Sequence, residues 1–173
     1  KIMEMIKEHD ITYVDLRFTD IAGKMQHVTQ HIDTIDEDAL TEGFMFDGSS
    51  IAGWKAINES DMTLMPDLYR AYIDPFFAQP TLALFCDVLE PSSGEAYDRD
   101  PRGTAKAALA HIESLGIADT AFFGPEAEFF IFEDVKIDVS MNRGLYSVDS
   151  VEGPYNSARK YGEGNLGHRP GVK

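Results

Sequence analysis

The sequence has 173 residues, with 30 acidic side chains against 15 Lys or Arg, and its formal net charge is −15. A chain of this length buries roughly 70% of its unfolded surface, and its single cysteine excludes an internal disulfide. The acidic balance repels phosphate backbones, and no stretch approaches the ~20 apolar residues of a membrane span. We therefore expect a cytoplasmic protein with neither a nucleic-acid nor a membrane partner.

The start of the chain predicts a small unit that mixes helix and strand. The spacing of apolar residues over residues 2–6 predicts a short helix, and alternation over Tyr13–Thr19 predicts a half-buried strand. The sequence Asp-Ile-Ala-Gly at residues 20–23 supplies turn chemistry, so residues 24–29 are expected to run back as the second strand of a hairpin.

Two segments in the middle of the chain depart from this pattern. Residues 33–67 show little periodicity and many turn-forming residues, which predicts a long structured loop, and such loops usually carry function. The apolar run Thr81–Leu89 predicts a strand that is buried on both faces. Cys86 lies within this run, where a structural thiol is much commoner than a nucleophile.

A cluster of turn formers and charged residues over residues 91–103 predicts a domain boundary. We place the first domain at residues 1–99 and the second at residues 100–173. Asp100 is well suited to cap the start of a helix, and apolar residues then recur with a 3.6-residue period until Gly116. This helix is therefore expected to open the second domain.

Glu126 and Glu128 give the strongest chemical signal. Residues 121–134 have β character, and in a strand both side chains would project from one face, ~6.6 Å apart along the chain. At an effective dielectric near 20 their repulsion is on the order of 2.5 kcal/mol, so a partly buried pair needs a cation or partial protonation. Carboxylates suit Mg²⁺, whereas in the alternative arrangement both glutamates lie on the solvent-exposed face of a strand. Residues 136–148 predict a further hairpin or pair of loops.

Asp47 lies between an apolar segment, Phe44-Met45-Phe46, and the hydroxyl-rich turn Gly48-Ser49-Ser50. Spacing alone favours a capping role, because an aspartate in such a turn commonly accepts hydrogen bonds from its own backbone as an Asx-turn. A catalytic carboxylate is the alternative interpretation.

Five motifs that span nearly the whole chain resemble bacterial type I glutamine synthetases. Members of that family are more than twice as long, and this chain begins at Lys1 without an initiator methionine, so we expect it to be an N-terminal portion. The resemblance implies an α+β fold with a β-grasp-like N-terminal domain, followed by the start of an antiparallel-sheet catalytic domain. The motifs are FDGSSI (46–51), GWKAINESDMTLMPD (53–67), RDPR (99–102), GPEAEFF (124–130) and GHRPGVK (167–173).

The resemblance also implies roles for three residues. Glu128 matches a ligand of the metal nearer the amino-acid substrate, and Glu126 matches a ligand of the metal that bridges the nucleotide phosphates. Asp47 matches the carboxylate that binds and deprotonates ammonium in the active site of a neighbouring subunit. The implied reaction uses Mg²⁺ or Mn²⁺, with ATP as co-substrate. ATP phosphorylates the side-chain carboxylate of L-glutamate, and ammonia then attacks the acyl phosphate.

The implied partners are L-glutamate, ammonium, ATP and further copies of the chain, assembled as a dodecamer of two rings. The family's remaining ligands and substrate arginines lie beyond Lys173, so the chain alone is expected to be inactive. One alternative is a sister ligase that joins glutamate to another amine, which the intact FDGSSI motif disfavours. The other is a non-catalytic acidic module that binds cations or associates with full-length subunits.

Overall fold

The computed structural model describes residues 1–162, which fall into two compact units, the second beginning at Phe122. None of the helices in this described part is long and apolar enough to cross a membrane. The domain boundary at residue 100 stays a prediction. The first unit contains, in chain order, α1 (Ile2–Glu8), β1 (Tyr13–Thr19), β2 (Met25–His31), α2 (Glu37–Glu42), β3 (Phe44–Asp47), β4 (Asp61–Ile73), β5 (Thr81–Leu89) and α3 (Pro101–Ser114).

The strands of the first unit form one mixed sheet in the order β2-β1-β5-β4-β3. β1 pairs with β5 in parallel, and the other neighbours are antiparallel. The predicted β1–β2 hairpin is confirmed. Its turn is held by Asp20, whose Oδ1 accepts hydrogen bonds of 2.9 Å from the backbone N–H groups of Ala22 and Lys24.

One face of this sheet forms the hydrophobic core together with α1 and α2. Alternate residues of β1, β4 and β5 point into it and are almost fully buried, and Cys86 is among them. Burial raises the pKa of the Cys86 thiol to about 12, which fits the structural role predicted for it. The fully buried apolar side chains that these strands contribute to the core are Val14, Leu16, Met62, Leu64, Leu82, Leu84 and Val88.

The opposite face of β1 is also covered, so the strand is more buried than predicted. Asp15 is 1% exposed and accepts hydrogen bonds of 2.7 Å from Arg17 Nε and Thr29 Oγ1, and it lies 2.7 Å from His27 Nδ1. Arg17 also forms a 2.6 Å ion pair with Asp74. Burial alone would raise the pKa of Asp15, but the hydrogen bonds from His27, Arg17 and Thr29 outweigh burial and hold that pKa below its ordinary value.

The prediction of a long loop over residues 33–67 is wrong, because this range contains α2, β3 and the start of β4. Asp36 caps α2 by accepting a 2.7 Å hydrogen bond from the N–H of Ala39, and Leu40 packs into the core. Gly43 ends the helix with φ +87°. Elements this short show no clear sequence periodicity, since packing against the sheet stabilises them more than local propensity does.

The predicted helix after Asp100 is confirmed as α3, and Asp100 holds its first turn against the sheet. This carboxylate is 1% exposed. Oδ1 accepts a 3.0 Å hydrogen bond from the N–H of Arg102, and Oδ2 accepts one of 3.1 Å from the N–H of Val88 in β5. One buried side chain therefore satisfies a helix N-terminus and a strand backbone group together.

The described part of the second unit contains an antiparallel hairpin of β6 (Asp134–Ser140) and β7 (Arg143–Asp149), which confirms the hairpin predicted there. The strand predicted over residues 121–134 is wrong, because residues 120–132 have no regular secondary structure. A strand needs a neighbour to pair with, and no described strand pairs with this segment. The motif at residues 167–173 lies outside the described residues.

We expect the substitution Asp100→Ala to lower the free energy of unfolding of the chain by about 2–4 kcal/mol. It removes a helix cap and leaves the buried N–H of Val88 without its acceptor. Urea denaturation followed by circular dichroism measures the loss. The matched control is Asp98→Ala at an exposed site two residues earlier. Equal stability of the two variants would contradict this account of Asp100.

Candidate active-site segments

Asp47 is the last residue of β3, at an outer edge of the five-stranded sheet. Phe44 and Phe46 pack with the core on one side of the strand, which turns the intervening Met45 and the following Asp47 to the other side. Asp47 pairs in register with Asp61 of β4, and its side chain is exposed. The sheet therefore presents this carboxylate to the outside of the unit from the end of an edge strand.

Ser49 fixes the orientation of the Asp47 carboxylate. Oδ1 of Asp47 accepts hydrogen bonds from the backbone N–H of Ser49 at 2.8 Å and from its hydroxyl at 2.6 Å. The hydroxyl of Ser49, its N–H and the Ser60 side chain lower the pKa of Asp47 below its ordinary value. The Asx-turn expected from spacing is thus present, and it leaves an ionised, exposed and oriented carboxylate.

Residues 48–54, which we call the Asp47 loop, are tied to the sheet at their start. The N–H of Gly48 donates a 2.7 Å hydrogen bond to Ser60 O. A Cβ at Gly48 would lie 2.5 Å from Sδ of the fully buried Met62, so any larger residue here would force that side chain to move. Further along, the N–H of Trp54 donates to Ile51 O at 3.1 Å, and the Trp54 ring packs against the core.

A cleft of about 740 Å³ opens beside β4, close to the Asp47–Asp61 pair. Lys55 is the basic residue of its lining, and its ammonium is already paired with Glu90 at 2.5 Å and lies 5.2 Å from the Tyr97 ring. Glu59 and Asp61 add two more acidic groups to the lining. The surroundings of Asp47 therefore favour small cations over anions.

Glu126 and Glu128 lie in the second unit, within the segment that has no regular secondary structure, and both are exposed. Among the described residues, neither makes a hydrogen bond or an ion pair. No group of three or more His, Cys, Asp or Glu within residues 1–162 is arranged to hold a metal. The two carboxylates have the oxygen chemistry that Mg²⁺ prefers, and one or two such ligands can suffice when water completes the shell. They fit part of a metal site.

The structure thus places the three predicted site residues in two separate units, Asp47 in the first and the glutamates in the second. Sequence reasoning missed the contribution of Ser49, although a hydroxyl two residues after an aspartate is itself a turn signal. It also missed Ser60, which is near Asp47 only because β3 and β4 pair. No local pattern reports a contact of that kind.

We expect the substitution Ser49→Ala to raise the pKa of Asp47 towards its ordinary value, because the variant loses the hydroxyl donor and keeps the backbone N–H. Carboxyl-carbon NMR titration of the chain measures this pKa. Ser50→Ala is the matched control, since it removes a neighbouring hydroxyl of the same turn. An Asp47 pKa that is the same in both variants would refute the role given to Ser49.

Two family models match the chain in succession. Residues 10–91 match the glutamine synthetase β-grasp domain, and residues 98–168 match the glutamine synthetase catalytic domain. Asp47 falls in the first match, and Glu126 and Glu128 fall in the second. The expected α+β fold with a β-grasp N-terminal domain is confirmed.

Curated relatives match over the whole chain. The glutamine synthetase of Azospirillum brasilense is 64% identical over 173 residues, which are 100% of this chain and 37% of that protein. The glutamine synthetase of Rhizobium meliloti is 58% identical over the same shares of the two chains. The chain therefore spans little more than a third of the length of these relatives.

A solved structure agrees in fold. The glutamine synthetase of Plasmodium falciparum, determined by cryo-electron microscopy, superposes with a TM-score of 0.67 at 23% identity. The superposition covers 90% of this chain and 30% of that one. Since two consecutive domain models and relatives at high identity agree with the motifs in the sequence, the chain belongs to the glutamine synthetase family.

Proposed function

We propose that this chain supplies the ammonium-binding carboxylate and two metal ligands of an ATP-dependent glutamate–ammonia ligase. The observation that carries the proposal is the ordered match to both glutamine synthetase domains, with Asp47 in one and the glutamate pair in the other. The substrates are then L-glutamate, ammonium and ATP. Because the chain covers 37% of its relatives, the remainder of the active site belongs to the rest of such an enzyme.

Asp47 binds ammonium in this proposal. Its carboxylate is exposed, ionised and held at one oxygen by Ser49, and the acidic groups around it add to the attraction for a small cation. Ammonium has no lone pair, so its nitrogen can attack only if a proton passes to Asp47. The nitrogen then bonds to the carbonyl carbon (Cδ) of the γ-glutamyl phosphate, and the C–O bond from that carbon to phosphate breaks.

Glu126 and Glu128 hold two divalent cations, Mg²⁺ or Mn²⁺, in this proposal. When bound, such ions offset the charge on the phosphoryl group and polarise the groups that react. The side chains contribute two carboxylates that no described residue neutralises, on a segment free of competing ion pairs. Glu128 serves the metal nearer the amino acid, and Glu126 serves the metal at the nucleotide phosphates.

In this proposal Asp47 completes an active site whose metals are held by Glu126 and Glu128 of a neighbouring subunit, within a homo-oligomer of two rings. The support is the division of the three residues between two units of the chain. A ring interface is heterologous, so each interface would unite Asp47 from one copy with Glu126 and Glu128 from the next.

We expect the 173-residue chain alone to form no glutamine, and a chimera to form it from glutamate, ammonium and ATP. In the chimera this chain replaces the matching residues of the Azospirillum brasilense enzyme. The substitution Asp47→Asn should reduce the rate about 100-fold, as is typical when a proton-accepting group is lost. A coupled assay for ADP, together with quantification of glutamine, measures the activity of the chain alone, of the chimera and of the Asp47→Asn variant.

The matched control for this experiment is Asp38→Asn, at an exposed position on α2. Glutamine formation by the chain alone would refute the expectation that its active site is incomplete. Unchanged ammonium use in Asp47→Asn would refute the role of Asp47. Preference of the chimera for an organic amine over ammonium would favour the sister ligase.

We expect activity to return when two inactive chimeras, Asp47→Ala and Glu128→Ala, are mixed under conditions that allow subunits to exchange. Random mixing in equal amounts would unite an intact Asp47 with an intact Glu128 at about one quarter of the interfaces. Steady-state glutamine formation before and after exchange measures the recovery. If each site used the Asp47 of its own chain, every site would keep one lesion and the mixture would remain inactive.

A further inference from the structure

Arg99 connects the start of the second family match to the far end of the Asp47 loop. Its guanidinium Nη1 donates a hydrogen bond to the carbonyl oxygen of Gly53 and another, of 3.3 Å, to that of Trp54. The two carbonyls are 46 and 45 residues from Arg99 in sequence. This contact ties the segment before α3 to the loop that directly follows Asp47, the candidate ammonium site.

The start and the end of the loop are held in different ways. Its start is fixed by the hydrogen bond from Gly48 to Ser60 O, described above, whereas its end turns through Gly53 at φ +80°. Left-handed backbone of this kind is readily accessible to glycine and leaves the chain many alternatives. A charged donor that bridges two successive carbonyl groups removes those alternatives and selects one path for the loop.

The backbone on both sides of Arg99 is anchored to the sheet. The N–H of Tyr97 donates a 2.8 Å hydrogen bond to Val88 O, and the N–H of Asp100 donates one of 3.0 Å to Tyr97 O. The Asp100 side chain accepts from the N–H of Val88, as described for α3. The backbone on either side of Arg99 is therefore held to β5 by hydrogen bonds. The contact between the Arg99 side chain and the loop thus also links the loop to the sheet.

We propose that Arg99 is a positioning residue that holds the Asp47 loop in the place required for ammonium use. The inference rests on the proposed role of Asp47. Arg99 acts through the loop. It holds the end of the loop through the carbonyl groups of Gly53 and Trp54, while the hydrogen bond from Gly48 holds the start. Asp47 immediately precedes that start. Shifts of about 1 Å in a reacting group can reduce rates about 100-fold, so the end of this loop matters even without touching substrate.

The test compares Arg99→Met with Arg99→Lys in the active chimera. Methionine is of similar length and removes every donor, while lysine keeps one charged nitrogen that can bridge the two carbonyls. We expect Arg99→Met to raise the KM for ammonium about tenfold, with the KM values for ATP and glutamate within about twofold of the parent. In Arg99→Lys the KM for ammonium should stay close to that of the parent. Arg70→Met, at an exposed arginine of β4, is the matched control.

Hydrogen–deuterium exchange of the Asp47 loop in the same proteins gives a readout independent of activity. Faster exchange at Ile51 and Trp54 in Arg99→Met, with the remainder of the first unit unchanged, supports the proposal. If that variant does not assemble, Arg99→Lys and the parent are compared by the same exchange, and matching exchange in these two supports the bridging contact.

Three results separate this inference from the proposed function. An unchanged KM for ammonium in Arg99→Met, with ammonium use lost in Asp47→Asn, overturns the inference and leaves the function standing. Equal increases in all three KM values also overturn it, because they indicate a general structural role. Unchanged ammonium use in Asp47→Asn refutes the proposed function itself, and the inference fails with it.

Discussion

The parallel pairing of β1 with β5 is the constraint on which the rest of the first unit depends. It places β5 at the centre of the sheet, with the β1–β2 hairpin on one side and β4 on the other. β4 then carries β3, and β3 ends at Asp47. β5 also leads into the segment of Arg99 and Asp100. The candidate site and the segment that supports it are therefore fixed by the same central strand.

Acidic residues serve several different purposes in this molecule, so acidity alone does not locate a site. Asp20 and Asp36 accept backbone hydrogen bonds at a turn and at a helix start, and Asp100 does so while almost fully buried. Asp15 is buried within an ionic network. Asp47 makes the same kind of backbone contact, but it lies exposed at the end of the edge strand β3, close to the cleft beside β4, and that position in the sheet distinguishes it.

Elements governed by local chemistry were predictable from the sequence. The hairpin turn at Asp20 and the capped start of α3 at Asp100 each depend on a few adjacent residues, and both were predicted. The short helix α2 and strand β3 were missed, because packing against the sheet selects them. The strand predicted around Glu126 does not form in the described residues, because β character alone provides no partner for pairing.

The same division between local and distant chemistry holds for the candidate site. The motif around Asp47 was recognisable as a short string of residues, and its Asx-turn followed from spacing. Its supports at Ser60 and Arg99 come from other parts of the chain, and a single sequence gives no signal for such contacts. The family resemblance identifies this carboxylate as a candidate, and only the structure shows which distant residues contact the loop that follows it.

The lowered pKa of Asp47 constrains how the proposed reaction can use it. Since hydrogen bonds from Ser49 keep this pKa below the usual value of about 3.9, the carboxylate stays ionised throughout the neutral range. It is then a good ligand for ammonium and a weak base, so removal of a proton from bound ammonium is unfavourable by itself. The proton is best transferred as the nitrogen–carbon bond forms, because bond formation consumes the lone pair that would otherwise recapture the proton. The position of the carboxylate relative to the reacting carbon therefore matters more than its basicity, and a loop held at both ends meets that requirement.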